Sequence, residues 1–195
     1  MGILIAVPTY ENISPECFRA IYNLQGKDLT FDYVRGYDCA KARNDIARKA
    51  LEGGFEYVFM IDSDIIVPPD SLSNMLDTPA DVCFGVYPRK TAPGETELFK
   101  TGTLDFENRY TMAELDEIET DKFIVKGGGF GCALIRTDVF RNLEYPWFRF
   151  VSYENNVFLS EDLYFCMNAE VDYQLMADKR VRCGHISRQI LGEIK

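Results

Sequence analysis

Two aspartates one residue apart, Asp62-Ser63-Asp64, close the apolar run Tyr57–Ile61, and Ile65-Ile66-Val67 follows before Pro68-Pro69 stops it. Carboxylates are costly near a core, so a pair at the end of a buried strand points to a positive partner. A divalent cation suits them, because carboxylate oxygens are hard donors. In a strand, positions 62 and 64 share a side. A solvated turn, with Asp70 and Ser71 opening the next helix, is the plainer alternative. His185, the only histidine, follows a strand read at Val181-Arg182 and is either an ordinary surface or core histidine or a third ligand. One imidazole with Asp62 and Asp64 makes a manganese- or magnesium-type set.

Glu161-Asp162 stands at a helix start, where the dipole favours acids for purely structural reasons. The preceding stretch 148–159 is rich in aromatic and polar residues, as a pocket wall would be. A carboxylate there could act as a general base on a substrate hydroxyl. Arg43 and Asn44 fall in the first turns of a helix, and Arg43 is either a diphosphate partner or a helix-surface arginine. Gly127–Gly131 holds four glycines in five residues. No Lys-Ser or Lys-Thr follows, so it is not a Walker loop, and it lacks the Rossmann context. It reads as a hairpin turn or as backbone that lets a bulky group approach closely.

The elements that must position these residues are legible from periodicity. Residues 2–8 read as a buried strand. Ser14-Pro15 is an N-cap with proline at the first helical position, opening a helix to about Leu24 with Phe18, Ile21 and Tyr22 on one face. Leu29–Val34 alternates as a strand. Ala40–Gly53 is a helix with the stripe Ala42, Ile46, Ala47, Ala50 and Leu51, ended by Gly53-Gly54. A strand at 57–61, a helix near 70–76 and a strand at 81–86 complete a β-α-β-α-β-α-β order. That order predicts an α/β fold with a largely parallel sheet. Residues 88–122 break it as an excursion with a hairpin or short helix. From Glu95 to Asp121 that excursion carries nine acidic residues against Lys100 and Arg109, which suits either a binding loop or a solvated charged face. Regularity returns at 123–126 and 132–135. Thr137 is expected to cap a helix to Leu143, and Ser160 one to about Asn168.

At 195 residues the chain suits one domain, 1–195, with an elaborated loop region. It is 47% apolar with a formal charge of −10, an ordinary globular composition that argues against a nucleic-acid groove or anionic lipid. One helix N-terminus, one arginine and a metal can still hold a diphosphate locally. The six cysteines are scattered without a Cys-x-x-Cys pair, which speaks for free thiols in a reducing, cytoplasmic setting. The N-terminal apolar run is too short for a signal peptide, and no integral membrane segment is expected.

Taken in order, these residues resemble a GT-A glycosyltransferase, most similar to the family-2-like group of the nucleotide-diphospho-sugar transferases. The pieces are Val7-Pro8-Thr9-Tyr10-Glu11, Ala42-Arg43-Asn44, Asp62-Ser63-Asp64, the glycine-rich stretch, Glu161-Asp162 and His185. The resemblance implies a single-domain, Rossmann-like three-layer sandwich with an irregular acceptor side. Residues 1–87 would be its nucleotide-binding half and 88–195 its acceptor half. It implies that Pro8, Thr9, Tyr10 and Glu11 line the nucleotide pocket, that Asp38 contacts the base and that Arg43, with Asn44, lies near ribose or diphosphate. Asp64 would be the main metal ligand, Asp62 and Ser63 would touch the nucleotide-sugar or metal, and His185 would be a further ligand. Gly128 and Gly129 would border the donor sugar, and Asp162, or Glu161, would deprotonate the acceptor. The implied reaction moves a sugar from a nucleotide-diphospho-sugar to a hydroxyl of a glycan, lipid-linked glycan or protein, with inversion, using Mn2+ or Mg2+. Arg188 would assist at the diphosphate. The sequence shows neither the C-terminal membrane helices or helical extension of many relatives nor the Gln/Arg-rich motif of processive synthases, so a processive synthase is not expected. Two other readings stand beside it: a nucleotidyltransferase, whose N-terminal glycine-rich loop is missing, and a non-catalytic nucleotide-binding or interaction protein on the same fold.

Overall fold

A computed structural model describes residues 2–36, 38–100, 108–152 and 158–187. The first half follows the expected alternation: β1 (Ile3–Thr9), α1 (Pro15–Tyr22), β2 (Leu29–Arg35), α2 (Cys39–Glu52), β3 (Tyr57–Ile61), β4 (Ile65–Ile66), α3 (Ser71–Leu76) and β5 (Val82–Val86). The excursion then forms β6 (Glu95–Phe99), β7 (Arg109–Thr111) and α4 (Met112–Glu117). It is followed by β8 (Lys122–Ile124), β9 (Gly127–Gly128), β10 (Cys132–Arg136), α5 (Thr137–Asn142), β11 (Val151–Ser152), β12 (Phe158–Leu159), α6 (Glu161–Ala169), β13 (Leu175–Arg182) and β14 (Gly184–His185).

The central sheet runs β2-β1-β3-β10-β5-β13-β8. β2, β1 and β3 are mutually parallel, as are β5 and β13, while β10 enters antiparallel between β3 and β5. Because side chains alternate along a strand, β1 feeds both faces of the sheet. Leu4 and Ala6 pack with α2, α5 and α6, whereas Ile3, Ile5 and Val7 pack with α1 and α3. The result is three layers with a core on each side of the sheet. Five parallel strands end at one edge, and the reversed β10 and β8 run back from it, at the edge where open α/β sheets bind ligands.

Local chemistry sets the boundaries. Ser14 accepts from Cys17 N and starts α1. Thr111 and Glu114 form a reciprocal capping box on α4. Asp178 is fully buried in β13, where Thr78 and Arg180 satisfy its carboxylate.

Several expectations need correction. Phe18 and Tyr22 do not share the buried face of α1; they are 51% and 81% exposed, and Cys17, Ala20 and Ile21 are inside. Thr137 is not a cap: the cap position of α5 is Arg136, which makes no side-chain bond, and Thr137 is buried within the helix. β13 starts at Leu175, six residues before the strand end that Val181-Arg182 mark, because Asp178-Lys179-Arg180 interrupts the apolar run with an internal ion pair. Gly127-Gly128 is strand rather than turn, pairing with Phe99 and Leu98 of β6. β3 ends at Ile61, so the same-side rule for a strand does not reach Asp62 and Asp64, which lie in the following turn. Residues 105 and 107 of the acidic stretch, and Arg188, lie outside the described residues.

Candidate active site

The centre of the site is a buried ion-pair cluster built by three elements. Arg43, in the second turn of α2, is 4% exposed. Its Nη2 lies 3.3 Å from Asp62 Oδ1 after β3. Its Nε donates to Glu161 Oε1 at 3.3 Å and lies 3.2 Å from Asp162 Oδ1, both at the start of α6. Its Nη1 donates to the Phe130 carbonyl at 3.2 Å, ahead of β10. Burial works against the guanidinium charge, but Asp162, Asp62 and Glu161 outweigh it and hold Arg43 ionised. Asp162 responds in the opposite sense. Burial pushes its carboxyl up, Arg43 pulls it down, and Glu161 and Asp62 raise it again, to about 8. Asp162 Oδ2 accepts from Phe130 N at 3.2 Å, while buried Oδ1, in ion-pair range of Arg43, has no hydrogen-bond partner among the described residues.

Two clefts meet at this edge. The smaller, about 210 Å³, is lined by Pro8, Thr9, Tyr10, Gly36, Cys39, Ala42, Asp62, Ser63 and Asp64. Thr9 is 6% exposed and its hydroxyl has no hydrogen-bond partner among the described residues. A buried hydroxyl left unpaired is costly, so Thr9 is poised to accept a ligand group. The larger cleft, about 890 Å³, has Asn12, Ser14, Lys90, Thr91 and Ser187 in its wall and shares Ser63 and Asp64 with the first.

Asp62 and Asp64 face different partners. Asp62 belongs to Arg43, whereas Asp64 pairs with the Lys90 ammonium, and its Oδ1 lies 3.7 Å from His185 Nε2. His185 Nδ1 lies 2.7 Å from the Pro88 carbonyl. A carbonyl only accepts, so Nδ1 carries the proton and, in the neutral ring, the Nε2 lone pair faces Asp64. That is the arrangement that orients an imidazole for a metal. Among the described residues no three His, Cys, Asp or Glu side chains gather into one metal-holding group. The expected trio of Asp62, Asp64 and His185 does not form such a group, and Asp62 is paired with Arg43. The Asp64–His185 pair does fit a divalent cation whose remaining positions come from phosphate and water.

The other expected residues fall into two groups. Tyr10 lines the smaller cleft and is more than half exposed, and Glu11 is exposed between it and Asn12 of the larger cleft. Asp38, between Gly36 and Cys39, caps α2 by accepting from Lys41 N at 3.0 Å. Asn44 is buried and spends its amide on backbone: it donates to Ala40 O and Phe148 O and accepts from Phe148 N. It holds the 148 segment beneath the site. Gly128 and Gly129 are buried against side chains. A Cβ at Gly129 would lie 2.2 Å from Tyr87 Oη, and one at Gly128 would lie 2.7 Å from the Phe84 ring. The glycines thus admit a bulky neighbour, and that neighbour is the protein's own.

Tyr87 and Lys90 escaped the sequence reading. Tyr87 is buried, its hydroxyl accepts from Gly131 N at 3.0 Å, and its ring meets His185 edge-on at 5.5 Å. Burial, with Asp62 and Asp162 nearby, keeps the phenol protonated. The available signal was position alone: both residues follow the end of β5.

No family model matches the chain, and no curated protein sequence matches it. Solved structures do. A197 from STIV aligns over 96% of this chain and 87% of its own length, with 16% identity and a TM-score of 0.71. GalNAc-T7, solved with UDP, GalNAc and Mn2+, aligns over 96% of this chain with 12% identity and a TM-score of 0.64. S. aureus TarS 1-349, in complex with UDP-GlcNAc, aligns over 97% with 13% identity and a TM-score of 0.57. This chain spans 44% of the GalNAc-T7 chain and 60% of the TarS chain. At these identities the likeness shows the fold, which is the mixed α/β GT-A fold with a seven-stranded, mainly parallel sheet. Among the described residues no helix is long and apolar enough to cross a membrane.

Proposed function

We propose that this protein is a glycosyltransferase that moves a sugar from a nucleotide-diphospho-sugar to an acceptor hydroxyl with inversion. The observation that carries this reading is the meeting, at one sheet edge, of the Thr9 cleft, the Asp64–His185 pair and Asp162 beside buried Arg43. The solved neighbours bearing UDP and UDP-GlcNAc support it at the level of fold.

On this reading the Thr9 hydroxyl, Pro8 and Tyr10 receive the nucleoside, and Asp38 flanks them. Residues 1–87 form the nucleotide half and 88–195 the acceptor half. Asp64 and His185 would hold a divalent cation, Mn2+ or Mg2+, which would supply positive charge for the departing diphosphate. Asp162 takes the proton of the acceptor hydroxyl, whose oxygen attacks the anomeric carbon from the face opposite the leaving group. A carboxyl elevated to about 8 is a stronger base than a solvated one and is still ionised in useful fraction near neutrality. Arg43 fixes its orientation, and Glu161 is the structural partner of that arginine. Phe130 is buried beside this cluster, with its carbonyl on Arg43 and its N–H on Asp162.

The test is a thermal-shift panel of nucleoside diphosphates and nucleotide-sugars, with and without manganese, followed by donor turnover with sugar and glycan acceptors. A ligand that binds the native state raises the melting temperature. The expected result is a shift with one nucleoside diphosphate and transfer or donor hydrolysis that Asp162→Asn abolishes. A shift without any turnover across the panel would favour a non-catalytic nucleotide-binding protein. Pyrophosphate release from a nucleoside triphosphate would favour a nucleotidyltransferase.

A further inference from the structure

The turn after β5 presents two adjacent cations with different fates. Arg89 is spent: its Nη1 pairs with Glu95 at 2.6 Å, its Nε donates to Glu97 at 3.3 Å, and its backbone N–H donates to the Glu95 carbonyl. Pro88 bridges to Thr96 and receives His185 on its carbonyl. The turn is therefore pinned to β6 and to the strand that bears His185. Lys90 comes next, and its ammonium reaches over the cleft to Asp64. It occupies the carboxylate that, with His185, makes the cation pair.

We propose that Lys90 is a placeholder cation. It neutralises Asp64 in the free protein, lowers the affinity for a metal that arrives alone, and passes to the diphosphate when metal and nucleotide enter together. The inference rests on the nucleotide-sugar reading and on Asp64–His185 as the metal pair. Three facts carry it. The Lys90–Asp64 pair is partly exposed on both sides, so opening it costs little. The ammonium lies at the wall of the larger cleft, next to the carboxylate that both clefts share. An ammonium and a divalent cation on one carboxylate repel each other, so Lys90 must leave Asp64 when a metal binds there. A phosphate oxygen is the natural acceptor for it.

The experiment measures Mn2+ binding by electron paramagnetic resonance and UDP binding by calorimetry, in wild type, Lys90→Ala and Lys90→Arg. The expected result has opposite signs in one variant. Lys90→Ala binds Mn2+ alone about tenfold more tightly, yet binds UDP in the presence of Mn2+ about tenfold more weakly. Lys90→Arg stays near wild type in both. Mn2+ affinity unchanged in Lys90→Ala, with UDP binding intact in wild type, overturns the inference and leaves the function standing. Failure of Mn2+ to bind wild type either alone or with UDP, GDP, CDP or ADP overturns both.

Discussion

Arg43 is one cation among three carboxylates, and that imbalance governs the chemistry of its neighbours. Burial raises the Asp162 carboxyl, Arg43 lowers it, and the neighbouring Glu161 and Asp62 raise it again, to about 8. The expected consequence is a turnover that rises with pH and reaches half its plateau near 8, falling about tenfold per unit well below that point. A kcat/KM profile checks it, and Asp162→Asn should remove activity without unfolding the protein. Stability runs the other way. The native value of Asp162 lies above its unfolded value, so the folded state binds the extra proton between roughly pH 4 and 8. Asp162 therefore favours folding at the acid end of that window and loses this contribution as pH rises through it. Urea midpoints at pH 5 and pH 8, compared between wild type and Asp162→Asn, isolate the effect. Arg43→Ala leaves three acids without their cation and should cost about 3–5 kcal/mol of stability, read from urea denaturation. None of this linkage was visible in the sequence, where Glu161 lies 118 residues from Arg43. The residue types were legible; the partner was not.

At the scale of elements, the glycine-rich segment shows how packing inside the chain can resemble a ligand signature. Gly129 and Gly131 give way to Tyr87, and Gly128 to Phe84, so β9 lies flat on β5's side chains and β6 pairs with it. Gly129→Ala should cost about 1–3 kcal/mol, since its Cβ would meet Tyr87 Oη at 2.2 Å. Tyr87→Phe removes that oxygen, so the double variant should be less destabilised than the sum of the singles. A double-mutant cycle by urea denaturation measures the difference, and full additivity would show that the clash is relieved elsewhere. Elements with unbroken periodicity were readable from the sequence: the bounds of β3 match, and α2 shifts by one residue at each end. β13 was read only at its end because its interior holds Asp178, whose partners Thr78 and Arg180 come from an α3 terminus and from β13 itself. α1 misled because Phe18 and Tyr22 follow the helical period of a buried stripe yet face outward, Phe18 edge-on to Phe31 of β2.

At the scale of the molecule, the proposed nucleotide and acceptor halves are not separate folding units. β10 comes from the second half and sits between β3 and β5 of the first, with Cys132 opposite Ile61 and Leu134 opposite Cys83. β13 closes the far side of β5, and Phe84 and Val86 share one core with Phe130, Trp147, Phe148 and Phe165. A fragment ending at residue 87 would leave β3 and β5 without the strand that joins them, exposing both backbone edges and the apolar face beneath. Removing that strand does more than trim the sheet, because it also takes the Phe130 carbonyl and the α6 carboxylates from buried Arg43. The expected outcome is that residues 1–87 alone show no cooperative unfolding transition, whereas the whole chain unfolds in one step. Trp147, the single tryptophan, is buried in the core shared by both halves and reports tertiary packing there. Its fluorescence and the far-ultraviolet circular dichroism should therefore change together across a urea titration, as two-state behaviour requires. Separate midpoints for the two signals would mean that the halves fold independently, and that β10 docks onto a sheet already formed.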